Sequence, residues 1–80
     1  HDICDMDGNK INYDKPVIIG DDVWIGARAS ILKGADIPDG CIIGYGSIVT
    51  KRFDEPHSII TGIPAKQIKN NITWRREKTI

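Results

Sequence analysis

Four side chains carry the groups most suited to acid–base, nucleophilic or metal chemistry: His1, His57, Cys4 and Cys41. An imidazole of pKa about 6.5 can take a proton from a hydroxyl at neutral pH and return it to a leaving group. His1 stands among Asp2, Asp5 and Asp7, carboxylates that either orient a ring or are simply solvated. His57 lies in a loop, DEPHS, and is given no role. Cys41 falls in a column of small residues and reads as a buried thiol rather than a nucleophile, and Cys4 as a free bystander. Two cysteines suggest no disulfide framework. Two histidines are too few for a three-histidine zinc site, so no metal is expected.

Composition narrows the classes further. Eleven basic and eleven acidic residues give a formal charge of zero, against a nucleic-acid binder that works by neutralising phosphates. No apolar run approaches the ~18 residues of a membrane span, and no signal-peptide pattern is present, so the cytoplasm is the default.

The elements that must position these groups are set by a repeat. From Ile19 to Asp54 the chain reads IGDDVW, IGARAS, ILKGAD, IPDGCI, IGYGSI, VTKRFD. The first column is Ile19, Ile25, Ile31, Ile37, Ile43 and Val49, an outcome expected by chance about once in 700 over six frames, so the repeat is real. The fifth column, Val23, Ala29, Ala35, Cys41, Ser47 and Phe53, is small or apolar throughout. A helix of 3.6 residues per turn would smear a six-residue column around its surface, whereas a strand broken by a turn every six residues keeps it on one side.

Three such hexads close a triangular coil of about 18 residues whose inward columns stack on themselves. Stiff β-branched side chains suit a ladder of like residues at the ~4.8 Å spacing of paired strands. Gly20, Gly26 and Gly44 in the second column, with Pro38, mark bends or close approaches of another backbone. Two coils bury little and leave open strand edges, so further coils, oligomerisation or both are expected.

With PVIIGDDVWIGA at 16–27, GYGSIVTK at 44–51 and GIPAKQIK at 62–69, the chain resembles the C-terminal part of a hexapeptide-repeat acyltransferase of the left-handed parallel β-helix family, close to the maltose, galactoside and polysaccharide O-acetyltransferases. The resemblance covers about two-thirds of the chain and is the sole source of the left hand. It implies an all-β, left-handed parallel β-helix with an excursion loop at 1–15, coils at 16–54, a loop and final strand at 55–64, and a short helix or tail at 65–80. The helix is expected over 65–78, where Ile68 and Ile72 share one face with Trp74 or Arg75.

The same resemblance assigns roles. His1, fifteen residues before Pro16, matches the catalytic histidine at the start of the excursion loop and would be the general base. Trp24 matches the tryptophan that walls the acceptor and cofactor site. Ala27, Tyr45, Thr50 and Lys51 match positions along the pantetheine arm of coenzyme A, with Tyr45 where relatives often carry alanine. Lys66 and Lys69 match basic positions near the coenzyme A phosphates. The implied donor is acetyl-CoA, the acceptor a sugar or polysaccharide hydroxyl, and the assembly a homotrimer with sites between subunits. Serine or amino-sugar acetylation and a non-catalytic trimerisation module are the alternatives; a zinc hydratase of the same fold lacks its histidines.

Overall fold

The computed structural model describes residues 2–76. Six two-residue strands begin at intervals of six: β1 (Ile18–Ile19), β2 (Trp24–Ile25), β3 (Ser30–Ile31), β4 (Asp36–Ile37), β5 (Ile42–Ile43) and β6 (Ile48–Val49). They stack in parallel with Ile18 opposite Asp36, Trp24 opposite Ile42 and Ser30 opposite Ile48, a uniform offset of eighteen residues. The Trp24 N–H donates to the Cys41 carbonyl at 2.9 Å, Gly26 to Ile43 at 2.8 Å and Ser30 to Ser47 at 2.8 Å.

Two further strands complete the end of the prism: β7 (Ile59–Gly62) and β8 (Ala65–Lys69). The three walls are β1–β4, β3–β6 and the four-stranded β2–β5–β7–β8. The third coil is one residue short, Ile42 lying opposite Ile59. β8 runs antiparallel to β7, with Thr61 opposite Lys66. The helix expected over 65–78 is therefore corrected: residues 65–69 form a strand, and no helix occurs among the described residues. The reason is the open edge of β7, whose free N–H and C=O groups a strand can pair and a helix would leave to solvent.

The isoleucine ladder is the core. Ile37, Ile43, Val49 and Ile60 are 0% exposed, and Ala35, Cys41 and Phe53 of the fifth column are buried with them. Ser47 and Ser58 are buried but satisfied: the Gly62 N–H donates to Ser47 Oγ at 3.1 Å, and Ser58 Oγ donates to the Pro56 carbonyl at 3.2 Å. In the first coil the same ladder lies open, Ile19 being 45% and Ile25 41% exposed. A coil with a neighbour on both sides buries its column; a coil with one neighbour buries half of it. Among the described residues no helix is long and apolar enough to cross a membrane.

The fourth column carries a second regularity. Asp22, Arg28, Gly34, Gly40 and Gly46 all have positive φ, from 55° to 84°, so the first five of the six hexads turn through the left-handed region at the same place. At Gly46 an added Cβ would meet nothing within 4 Å, so Gly46→Ala tests the backbone alone. It should cost about 1 kcal/mol, and Arg28→Gly should recover about as much at the equivalent corner. Urea unfolding of both variants checks this; a neutral Gly46→Ala would mean that the corner does not impose its conformation.

Candidate active site

The stretch that leads into the first coil forms a small exposed hairpin. Ile11 N–H donates to the Ile3 carbonyl at 2.7 Å, and Cys4 bridges Lys10 across the hairpin. Asp5 builds its tip, accepting from the amides of Asp7 and Asn9, both at 2.9 Å, and from Asn9 Nδ2 at 3.2 Å. These bonds, the Asn9 amide foremost, hold the Asp5 carboxyl below its ordinary pKa. Asp2 pairs with Lys10 at 3.3 Å. His1, the expected base, lies outside the described residues. Of the three carboxylates that could orient it, Asp5 is committed to the hairpin turn.

Trp24 points outward from β2, as the sixth column requires, and is 52% exposed. Its ring faces that of Trp74 with centroids 5.7 Å apart at a tilt of 50°. Ala27 and Tyr45 share a corner, where the Gly46 N–H donates to the Ala27 carbonyl at 2.9 Å. Both are exposed, and the corner is narrow because a Cβ on Gly26 would fall 2.7 Å from the Ile43 carbonyl oxygen. The close approach read from the second-column glycines is realised here. Thr50 and Lys51 follow β6 at the next corner, the Lys51 ammonium 5.3 Å from the centroid of the Phe53 ring.

Lys66 and Lys69 are exposed on β8. That strand also lies against β6, so the strand leading into Thr50 and Lys51 adjoins the one bearing the other two lysines. Among the described residues none of these three lysines makes an ion pair. Trp24 stands at the opposite edge of the same sheet, in register with Ile42, Ile59 and Lys69. Three strand steps of ~4.8 Å put roughly 14 Å between its backbone and that of Lys69. The site residues thus form a basic end, a small-residue corner and a tryptophan end rather than one cluster.

The tail contributes what the sequence reading placed on a helix face. Trp74 Nε1 donates to the Asp22 carbonyl at 2.9 Å, and a cavity of about 390 Å³ is lined by Val23, Trp24, Ile25, Trp74, Arg75 and Arg76. The WRR triplet, an aromatic followed by two cations beyond the last repeat, was the available signal. Cys41 is structural: its Sγ lies 3.5 Å from the Glu55 carbonyl, and burial pushes the thiol pKa up. Among the described residues no three His, Cys, Asp or Glu side chains gather as a metal site would need.

A stack of six-residue strands around an isoleucine ladder defines a hexapeptide-repeat prism. Residues 16–51 match the family described as Bacterial transferase hexapeptide (six repeats). The whole described fold superposes on the polysialic acid O-acetyltransferase OatWY with a TM-score of 0.93 and 42% identity, over 99% of this chain and 38% of that one. A galactoside acetyltransferase in complex with coenzyme A gives a TM-score of 0.68 and 41% identity, over 72% of this chain and 28% of that one. A chloramphenicol acetyltransferase of Morganella morganii is 53% identical over 55 residues, 69% of this chain and 26% of the relative. The fold is accordingly the left-handed parallel β-helix, and the chain spans about a quarter to two-fifths of the length of these proteins.

Proposed function

We propose that this chain works in an O-acetyltransferase that moves an acetyl group from acetyl-CoA to a hydroxyl of a sugar or polysaccharide. The observation that carries the reading is the pairing of an open small-residue corner with three unpaired lysines on adjoining elements, within a fold 42% identical to a polysaccharide O-acetyltransferase. The donor fits these residues. A slender amide-bearing arm needs a corner without bulk, which Ala27 and Gly46 provide, and its phosphates need cations that are not already paired, which Lys51, Lys66 and Lys69 provide. Thr50 adds a hydroxyl at the same end, and Tyr45 a ring that walls the corner.

Acetyl-CoA supplies an acetyl group already activated as a thioester. The chain's part is to bind, to orient and to move one proton. His1 Nε2 or Nδ1 would accept the acceptor's hydroxyl proton as its oxygen attacks and return it to the departing thiolate. Backbone N–H groups would hold the negative charge that develops on the carbonyl oxygen. Trp24 would act as a wall of the acceptor side. A homotrimer with sites between subunits is part of the reading, supported by the exposed apolar side chains of Ile3, Met6, Ile11 and Tyr13 along the excursion, and by Val17, Ile18 and Leu32 on the prism. A cytoplasmic location suits the donor.

The test is release of free thiol from acetyl-CoA in the presence of polysialic acid, maltose or a galactoside, with the product's mass checked. Acceptor-dependent release with a gain of one acetyl group supports the reading. A folded protein that releases none with any acceptor contradicts it and favours a trimerisation module.

A further inference from the structure

The third coil is attached to the rest of the prism unevenly. Its ladder with β5 pairs Ile42 with Ile59 and Ile43 with Ile60, and ends where the Gly44 N–H donates to the Ile60 carbonyl at 3.0 Å. Thr61 and Gly62 lie beyond that ladder, and the chain then turns back into β8, with Thr61 opposite Lys66. Among the described residues, the hydrogen bonds that join residues 61–69 to the earlier coils all run through one atom. Ser47 Oγ accepts the Gly62 N–H at 3.1 Å and lies 3.1 Å from Thr61 Oγ1.

Ser47 is an inward fifth-column residue, 1% exposed, in a column that is otherwise small or apolar. A hydroxyl there is costly unless its hydrogen bonds are made, and both are. It accepts from Gly62 and, sealed from water, has Thr61 Oγ1 to take its own proton. Thr61 stands in the second column, where the two coils before it carry Gly26 and Gly44, and a Cβ on Gly44 would collide with the Thr61 hydroxyl. Ser47 also sits where the proposed donor-binding groups meet. It directly follows Gly44, Tyr45 and Gly46 and opens β6, which leads to Thr50 and Lys51. The sheet partner of β6 is β3, so residues 47–51 share no backbone ladder with β7 or β8. Ser47 alone hydrogen-bonds them to the hairpin that carries Lys66 and Lys69.

We infer that Ser47 is a positioning residue for the donor: through Gly62 and Thr61 it sets the β7–β8 hairpin against the small-residue corner, so that the lysines meet the phosphates of a coenzyme A whose arm lies in that corner. The inference rests on the proposed use of these groups for acetyl-CoA. A ligand that spans two sites gains over its separate halves only while the sites keep their spacing. Loosening Ser47 leaves the corner and the lysines each intact and removes their fixed separation. The whole donor should therefore bind more weakly while its fragments bind as before.

The experiment measures binding of coenzyme A, pantetheine and adenosine 3′,5′-bisphosphate to the full chain and to Ser47→Ala, Thr61→Val and Thr61→Ser, well below each thermal midpoint. Coenzyme A should bind about tenfold more weakly to Ser47→Ala, less so to Thr61→Val, which keeps the Gly62 bond, and as in the wild type to Thr61→Ser, which keeps the hydroxyl. Both fragments should stay within about twofold of wild type throughout. Alanine already occupies the same column at Ala29 and Ala35, and if Ser47→Ala still fails to fold, the isosteric Thr61→Val carries the test. A lowered midpoint with unchanged coenzyme A affinity overturns the inference and leaves Ser47 a structural link. Pantetheine weakened as much as coenzyme A overturns it too, because the pair would then touch the arm itself, and so does an equally weakened bisphosphate, because the lysine site would then be damaged. A wild-type chain that binds none of the three ligands refutes the donor reading and the inference with it.

Discussion

Replacing His1 with alanine should slow acetyl transfer by roughly 10²–10⁴-fold at saturating donor, the range expected when a general base is lost. Affinity for coenzyme A should hardly change, because the groups proposed to bind it sit on the corner and on β8. A hydroxyl does not attack a thioester at neutral pH unless its proton has somewhere to go. Cys41 is buried in the ladder with a raised pKa and cannot reach substrate. His57 has φ 53°, its ring packed where a Cβ on Gly40 would collide with it. His57→Asn, which tolerates that backbone, should therefore change the rate less than about threefold. Steady-state thiol release on both variants decides it. A slow His57→Asn beside a normal His1→Ala would make His57 the base instead.

The largest effect on stability should come from Ile43→Ala. Ile43 is 0% exposed on β5, one of the two interior strands of the four-stranded wall. Truncation there should cost about 2–5 kcal/mol, because transfer energy is lost and a cavity opens that neighbouring coils cannot close. A domain stabilised by only about 5–15 kcal/mol would feel that strongly. Ile25→Ala removes the same atoms from the residue directly opposite, but Ile25 is 41% exposed and its truncation should cost about 1 kcal/mol or less. Urea unfolding of the pair measures the difference. Equal costs would mean that the first coil is covered in solution.

The six-residue period makes the prism legible in the sequence alone. Once Ile19, Ile25, Ile31, Ile37, Ile43 and Val49 share a column, the offset of eighteen between stacked strands follows, and it is the offset observed at Ile18, Trp24 and Ser30. The outward Trp24 and the crowded second-column glycines follow from the same count. What periodicity could not reveal lies where the period stops. Residues 65–69 have a plausible helical face, and only the unpaired edge of β7, a property of the assembled stack, makes them a strand. The fourth-column conformation was masked because Asp22 and Arg28 stand where glycine announces it elsewhere. Trp74 meets Trp24 from fifty residues away in sequence. Asp5 read only as one of the carboxylates near His1, because its role at the hairpin tip depends on backbone amides that come together only in the fold.

Whether this chain holds the donor is tested most directly by a calorimetric titration of coenzyme A, with the assembly state followed by sedimentation in the same buffer. Saturable binding at about one site per chain in a trimer is expected, weakened roughly tenfold by Lys66→Gln/Lys69→Gln. Absence of binding by a folded trimer would contradict it and leave the open corner and its lysines without a donor to hold.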